Sequence, residues 1–458
     1  MTQALLTPAD AGTHDGADAP GTLFRFATAG SVDDGKSTLV GRLLHDSKAI
    51  LADQLENVTR TSTERGFGGD AGGIDFALLT DGLRAEREQG ITIDVAYRYF
   101  ATARRSFILA DCPGHVQYTR NTVTGASTAD VVVLLIDARK GLLEQTRRHL
   151  AVASLLRVPH VIVAVNKIDL VGFDGDVYAA HAAAVTAAAV DLGLADVRTI
   201  PVSALDGDNV VDRSTRTPWY DGPSLLELLE EIPAALDVAD EAFRLPVQLV
   251  LRPQGAAREE RHRDYRGYAG QIAAGVVRVG DAVVALPSGR TSTVVGIDTA
   301  DGELDVAFAP QSVALRLADD LDIARGDLLA AVADAPVATQ DLDATIAWLS
   351  DRVLLPGTRV LVKHTTRTVA AVVRDIVGRL DLDSAEMGPA EQLGLNDIGQ
   401  VRLRLASPVA AEEYVISRRT GAFLLIDAHD GGTLAAGMVG EPLAEARCPA
   451  RRPAQYAI

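Results

Sequence analysis

A glycine-rich segment, Gly30–Ser37, has the residue types and the spacing needed to hold a phosphate group. It reads Gly-Ser-Val-Asp-Asp-Gly-Lys-Ser, matches G-x-x-x-x-G-K-[ST], and stands between an apolar run and a helix-like segment. In this pattern backbone N–H groups surround a phosphate, Lys36 neutralises its charge and the Ser37 hydroxyl binds Mg²⁺. An ordinary glycine-rich turn is the alternative, but a turn does not need the terminal Lys-Ser pair. The segment predicts a nucleoside triphosphate site with Mg²⁺.

A second candidate segment, Asp111–His115, follows a short apolar run. A carboxylate at the carboxyl end of a strand lies where open α/β sheets bind ligands. Asp111 is therefore expected to reach Mg²⁺ through water, Gly114 to offer its N–H to the terminal phosphate, and His115 to orient an attacking water. Alone, Asp-x-x-Gly would be an ordinary turn; with the phosphate loop upstream, the functional interpretation is favoured.

Gly90–Asp94 lies between these two segments and contains Thr92. A hydroxyl from this loop is expected to bind Mg²⁺ and to sense the terminal phosphate, so that triphosphate orders the loop and hydrolysis releases it. Thr92 beside two isoleucines is also a good strand residue, which is the structural alternative.

Asn166–Asp169, with the sequence Asn-Lys-Ile-Asp, predicts which base is bound. The Asp169 carboxylate would accept from N1–H and the exocyclic amine of guanine, a donor pair that adenine lacks. Asn166 would face the Hoogsteen edge, and Lys167 would pack over the ring.

Ser203–Leu205 follows another apolar run and is expected to support the guanine O6 through its backbone; a surface loop is the alternative. The predicted nucleotide is GTP. Lys36, Thr92 and His115 are the predicted catalytic residues, and Ser37, Thr92 and Asp111 the predicted metal ligands. The full predicted nucleotide-binding set is Gly30, Ser31, Val32, Asp33, Asp34, Gly35, Lys36, Ser37, Thr38, Asp111, Cys112, Pro113, Gly114, His115, Asn166, Lys167, Ile168, Asp169, Ser203, Ala204 and Leu205.

From Leu23 to about Leu236, short apolar runs alternate with longer Ala/Leu/Arg-rich segments. This alternation predicts βαβ units that build a parallel sheet with helices on both faces. The second strand alternates Val/Tyr/Tyr with Ala/Arg/Phe, which is typical of an edge strand or of a half-buried strand. Predicted strands are Leu23–Ala29, Val95–Phe100, Phe107–Ala110, Val131–Asp137, His160–Val165 and Val197–Val202, and predicted helices are Lys36–Leu44, Gln145–Leu156, Val177–Leu192 and Ser224–Glu231.

After Leu236 the sequence changes to short Val-rich pieces separated by Gly, Pro and Asp, among them Leu245–Leu251 and Gly270–Ala274. This spacing favours antiparallel β-barrels. The predicted fold class is an α/β P-loop GTPase domain followed by two β-barrel domains. We place a disordered tail at 1–22, the GTP-binding domain at 23–237, the barrels at 243–335 and 337–447, and a C-terminal tail at 448–458.

The amino-acid composition limits which classes of partner and which cellular location are expected for this protein. The net charge of -18 argues against a broad nucleic-acid-binding face, although a local basic patch is compatible with it. No apolar run approaches the roughly 20 residues that span a bilayer, and the first 22 residues lack the pattern of a signal peptide. Cys112 and Cys448 alone imply no disulfide framework. We therefore expect a cytoplasmic protein with no membrane and no nucleic-acid partner.

Gly90–Ile93, Asp111–His115 and the two β-domains resemble the translation-factor GTPases of the elongation factor Tu type, over essentially residues 23–445. His115, where small GTPases use Gln, points the same way. Longer stretches resemble one branch, the GTPase subunit of bacterial sulfate adenylyltransferase. These stretches are Gly30–Leu44, Asp81–Phe100, His115–Asn121, Asp264–Gly270 and Leu286–Gly289.

The resemblance implies a function that composition does not supply. In that family GTP hydrolysis drives adenylyl transfer from ATP to sulfate, which gives adenosine 5′-phosphosulfate and pyrophosphate. The adenylyl-transfer site belongs to a separate small subunit, which is therefore the expected partner, in a heterodimer or a higher assembly of heterodimers. The alternative is a translational GTPase that delivers aminoacyl-tRNA on the same scaffold.

Overall fold

A computed structural model describes residues 23–48, 58–60, 62, 74–76, 94–115, 119–234, 238–256 and 263–443. The chain divides into two compact units, one made mainly of residues before Ala235 and the other mainly of residues from Leu236 onward. Within the described residues, no helix is both long enough and apolar enough to cross a membrane.

A six-stranded sheet forms the centre of the first unit, with the strand order β2-β3-β1-β4-β5-β6. β4 is buried at every position, and β5 at every position but its first, as continuous apolar runs in a parallel sheet require. The strands are β1 (Leu23–Gly30), β2 (Ala96–Ala101), β3 (Ser106–Asp111), β4 (Val131–Asp137), β5 (His160–Asn166) and β6 (Asp196–Pro201).

Helices connect or follow these strands: α1 (Lys36–Asp46), α2 (Thr119–Ala126), α3 (Glu144–Leu155), α4 (Gly175–Asp191) and α5 (Leu225–Glu231), with a 3₁₀ turn at Ile168–Val171. The apolar sides of α1 and α5 share one hydrophobic core with β1, β3, β4, β5 and β6. A capping box fixes the start of α5, where Ser224 and Glu227 each bond the other's backbone N–H. α2 was not among the predicted helices, because its threonines and Gly125 are poor helix formers.

β2 lies at the edge of the sheet, as predicted, but it runs antiparallel to β3. The predicted parallel arrangement therefore fails for this one pair of strands. Only residues 102–105 join the two strands, and a connection this short permits only an antiparallel pair, since a parallel crossover needs a dozen residues or more. The remaining pairs are parallel, so β1, β3, β4, β5 and β6 all end at one edge.

The first β-domain contains an eight-stranded sheet with the order β7-β16-β11-β12-β15-β9-β8, in which β13 also pairs with β12. β10 and β14 form a separate two-stranded sheet. A bridge between Arg244 and Ala274 joins β7 to the residues after β9. The strands are β7 (Arg244–Pro246), β8 (Leu249–Leu251), β9 (Gly267–Gln271), β10 (Val276–Arg278), β11 (Ala282–Leu286), β12 (Arg290–Thr299), β13 (Gly302–Leu304), β14 (Val306–Phe308), β15 (Ser312–Leu317) and β16 (Leu328–Ala331), with 3₁₀ turns at Val238–Asp240 and Gln254–Ala256.

The second β-domain is a closed six-stranded barrel in the order β18-β22-β23-β17-β21-β19, because β19 pairs again with β18. Trp348 is buried in its core. The strands are β17 (Thr339–Trp348), β18 (Arg359–His364), β19 (Arg367–Leu380), β20 (Met387–Gly388), β21 (Ile398–Val409), β22 (Ala422–Ile426) and β23 (Thr433–Val439), of which β20 extends β19 outside the ring. The predicted fold class, a P-loop α/β domain followed by β-barrels, is confirmed.

Two strand predictions in the first barrel were wrong in detail. Leu245–Leu251 is not one strand but two, because β7 ends at Pro246, which lacks an N–H, and the halves pair with different neighbours. The strand predicted at Gly270–Ala274 begins and ends three residues earlier, since β9 is Gly267–Gln271.

Candidate nucleotide-binding site

The phosphate loop connects β1 to α1 with two glycines in backbone conformations that other residues avoid. Gly30 has φ 147° and Gly35 has φ 93°. Gly35 caps α1 without a side-chain hydrogen bond, and the first turn contains no acidic residue. The first N–H groups of this helix therefore keep their partial positive charge for a bound anion.

Lys36 lies inside this loop with its side chain folded onto it. Its Nζ donates to the carbonyl oxygens of Gly30 (2.9 Å) and Ser31 (2.7 Å), and the residue is only 7% exposed. Burial lowers the pKa of Lys36, and the nearby carboxylates of Asp111 and Asp34 oppose that shift. A buried ammonium of this kind is stabilised by an anion, which a phosphate would supply.

β3 places Asp111 next to the phosphate loop. Its carboxylate is buried and accepts a hydrogen bond of 2.8 Å from the hydroxyl of Thr28 on the adjacent strand. Gly114 follows in direct contact with the loop, because a Cβ there would lie 2.7 Å from the Gly30 carbonyl oxygen and would clash with Lys36 Nζ. Half-buried His115 comes next. The structure therefore brings Asp111 and Gly114 to the phosphate loop, and Cys112 and Pro113 are buried between them. His115 follows Gly114 along the chain, and its approach to the phosphate stays a prediction.

Asn166, at the end of β5, connects three loops through its side-chain amide. Its Nδ2 donates to the carbonyl oxygen of Asp34 (2.7 Å), and its Oδ1 accepts from the backbone N–H of Ala204 (2.9 Å). The phosphate loop and the Ser203–Leu205 loop are thus held together. Both ends of the amide are engaged by protein backbone, so its contact with the base stays a prediction.

Lys167 and Asp169 follow on the same loop. Lys167 has φ 62°, and its Nζ donates to the carbonyl oxygen of Asp33 in the phosphate loop and to Asp137 Oδ2 (3.0 Å). Ile168 is buried and anchors the loop. Asp169 is half-buried, and no described residue donates a hydrogen bond to its carboxylate, which leaves both oxygens for a ligand.

Two residues of this site, Asp137 and Arg139, were missed by the sequence reasoning. Asp137 ends β4 fully buried, and Arg139 donates to both of its carboxylate oxygens (3.0 and 2.6 Å). Burial would raise the pKa of Asp137, but the hydrogen bonds from Arg139 and Lys167 hold it well below its usual range. The sequence signal that could have identified Asp137 is an Asp at the end of an apolar run, which is the same signal that identified Asp111.

Ser203 is fully buried, and its carbonyl oxygen accepts from Gly207 N–H at 2.7 Å. Arg42 of α1 donates to the carbonyl oxygens of Ala204 and Leu205. The loop is therefore ordered by the phosphate-loop helix as well as by Asn166.

The residues present fit Mg²⁺ held jointly with phosphate oxygens. Among the described residues, no group of three or more His, Cys, Asp or Glu side chains is placed to hold a metal ion. One buried carboxylate, Asp111, and one hydroxyl at the start of α1, Ser37, form the hard-oxygen, incomplete set that Mg²⁺ takes when a nucleotide completes its shell. Thr92 lies outside the described residues.

Replacing Asn166 with alanine is expected to destabilise the first unit even without nucleotide, by about 2 kcal/mol or more, because two buried backbone groups lose their partners. Trp219 is the only tryptophan of that unit, so its fluorescence in a Trp348→Phe background reports the unfolding. The comparison is between Trp348→Phe and the double variant Trp348→Phe/Asn166→Ala. Equal denaturation midpoints for these two proteins would contradict the connecting role of Asn166.

Two family models match the sequence of this chain. The elongation factor Tu GTP binding domain model matches residues 22–238, and the GTP-eEF1A C-terminal domain-like model matches residues 341–440. The fold and the site thus define a GTP-binding protein of the elongation factor Tu type.

Three curated relatives identify the branch. "Sulfate adenylyltransferase subunit 1" of Cellvibrio japonicus is 49% identical over 92% of this chain and 87% of that protein. The protein of the same name from Methylorubrum populi is 51% identical over 91% and 87%. "Bifunctional enzyme CysN/CysC" of Mycobacterium tuberculosis (strain ATCC 25618 / H37Rv) is 53% identical over 91% of this chain and 67% of its own length. The chain belongs to the sulfate adenylyltransferase subunit 1 family.

Proposed function

We propose that this chain is the GTP-hydrolysing subunit of a sulfate adenylyltransferase, with a separate small subunit carrying out adenylyl transfer from ATP to sulfate. The observation that carries the proposal is the 49–51% identity, over 91–92% of the chain, to proteins named sulfate adenylyltransferase subunit 1. The sulfate–phosphate anhydride is unfavourable to form, so coupling to GTP hydrolysis has a physical purpose. A cytoplasmic location and the domain bounds predicted from the sequence are part of this proposal.

In the proposed mechanism the phosphate loop and Lys36 hold the phosphates, and Asp169 recognises guanine. Mg²⁺, when bound, would be held by Ser37, Asp111 and the predicted Thr92, and would neutralise phosphate charge. His115 directs water at the terminal phosphate from the loop that contacts Lys36 through Gly114. Loss of that phosphate changes the loop contacts, and this change is passed to the small subunit.

His115→Ala is expected to slow single-turnover GTP hydrolysis about a hundredfold while the Kd for GTP stays within about twofold, since the imidazole acts on water and not on binding. Rapid-quench kinetics and a nucleotide titration separate these effects. Hydrolysis at the wild-type rate would remove His115 from the mechanism.

The proposal is tested by measuring GTP hydrolysis with the small subunit and ATP, with and without sulfate. We expect turnover to rise when sulfate is added and to be unaffected by ribosomes. The elongation-factor alternative is supported only as a fold relationship. Tight aminoacyl-tRNA binding, with turnover indifferent to sulfate, would overturn the proposal in favour of that alternative.

A further inference from the structure

The phosphate loop contains a buried carboxylate of its own, that of Asp34. The residue is 1% exposed, and its Oδ2 accepts a hydrogen bond of 2.7 Å from the backbone N–H of Ser31. Its Oδ1 is buried with no hydrogen-bond partner in the described part of the chain. An anionic side chain is therefore built into a loop whose predicted ligand is also an anion.

The surroundings stabilise this carboxylate only in part. Burial raises the pKa of Asp34, whereas the hydrogen bond from Ser31 and the ammonium groups of Lys36, Lys140 and Lys167 lower it. The first of these lysines also serves the predicted phosphates. A bound diphosphate would bring further negative charge into the same loop. Because the Asp34 side chain is buried, little water is present to screen its repulsion of the phosphates.

The hydrogen bond and the charge of Asp34 have opposite consequences. The bond between Ser31 N–H and Oδ2 closes the loop across three residues and holds its shape before a ligand arrives. The negative charge raises the free energy of any phosphate that then binds. An asparagine would keep an acceptor oxygen for Ser31 and remove the charge, so the two effects are experimentally separable.

We propose that the charge of Asp34 weakens phosphate binding in this loop and so speeds release of GDP after hydrolysis. The inference rests on the proposed function. It makes Asp34 a residue that sets nucleotide affinity and residence time, and it gives the protein a built-in means of exchanging GDP for GTP.

The test compares the full-length wild-type chain with Asp34→Asn. We expect the variant to bind GDP about tenfold more tightly and to release a fluorescent GDP analogue about tenfold more slowly. Guanosine, which fills the base site without phosphate, should bind both proteins equally, because it carries no charge for Asp34 to repel. A purely structural effect of the substitution on the loop would change guanosine binding as well, so guanosine distinguishes the two causes.

Two further variants complete the experiment. Asp34→Ser, a smaller neutral side chain, should shift GDP binding in the same direction. Glu144→Gln removes the same charge from an exposed position on α3 and should leave GDP affinity and GDP release unchanged. GDP binding to Asp34→Asn that is equal to or weaker than wild type, or an equal gain for guanosine, would overturn the inference. A wild-type chain that binds no GDP would instead overturn the proposed function.

Discussion

Asp169→Asn is expected to lower the affinity for GDP about 10⁴-fold and to make xanthosine diphosphate the preferred ligand. Guanine offers two donors to the carboxylate, and an asparagine amide can accept only one while it opposes the other with its own NH₂ group. Polar sites left with such a mismatch reject the wrong ligand by roughly 10⁴ or more. Xanthine presents a carbonyl in place of the exocyclic amine, so the amide pairs with it.

The structure supports this expectation because Asp169 is half-buried and receives no hydrogen bond from any described residue. Titration with fluorescent guanosine and xanthosine diphosphates measures the switch. Asp176→Asn, the same change at an exposed position on α4, is the matched control. Unchanged preference for guanosine in Asp169→Asn would show that base recognition lies elsewhere.

Lys36→Ala is expected to weaken binding of GDP and GTP about a thousandfold. Loss of one partner of a buried, hydrogen-bonded charge pair costs about 2–5 kcal/mol or more, and here the phosphates would lose the one ammonium that the loop directs inward. The stability of the nucleotide-free protein is expected to change less than its affinity for nucleotide, because alanine removes a buried charge that burial already disfavours. Calorimetric titration of the full chain with GDP gives the Kd.

Lys48→Ala, just beyond the end of α1 and exposed, is the matched control and should bind like wild type. Thermal unfolding distinguishes a lost site from a lost fold: we expect the empty Lys36→Ala protein to unfold near the wild-type midpoint. GDP affinity within about tenfold of wild type would contradict the role assigned to this lysine.

Much of the first unit could be predicted because its signals are local. Residues 131–136 are all apolar and form β4 together with Asp137. The Gly-x-x-x-x-Gly-Lys-Ser segment begins at the last residue of β1 and leads into α1. The carboxyl ends of parallel strands meet at one edge, so motifs far apart in sequence were expected to converge, and Asp111 and Asn166 do so.

The remaining features depend on which strands are neighbours, and the sequence does not encode pairing locally. Asp137 becomes a partner of Lys167 only because β4 pairs with β5. The closure of the second barrel through β18 and β19 could not be read from short Val-rich pieces, since many pairing orders suit the same pattern. The bonds that Asn166 makes to two other loops are likewise visible only in three dimensions.

The central claim is that GTP hydrolysis on this chain drives an unfavourable reaction on its partner, and one end-point measurement tests it directly. The chain, the small subunit, ATP and sulfate are incubated to completion, and adenosine 5′-phosphosulfate is quantified with GTP, with a non-hydrolysable GTP analogue, or with neither. The account predicts a higher final yield only with GTP. A final yield of adenosine 5′-phosphosulfate that is the same under all three conditions, even if it is reached faster with GTP, would contradict the claim.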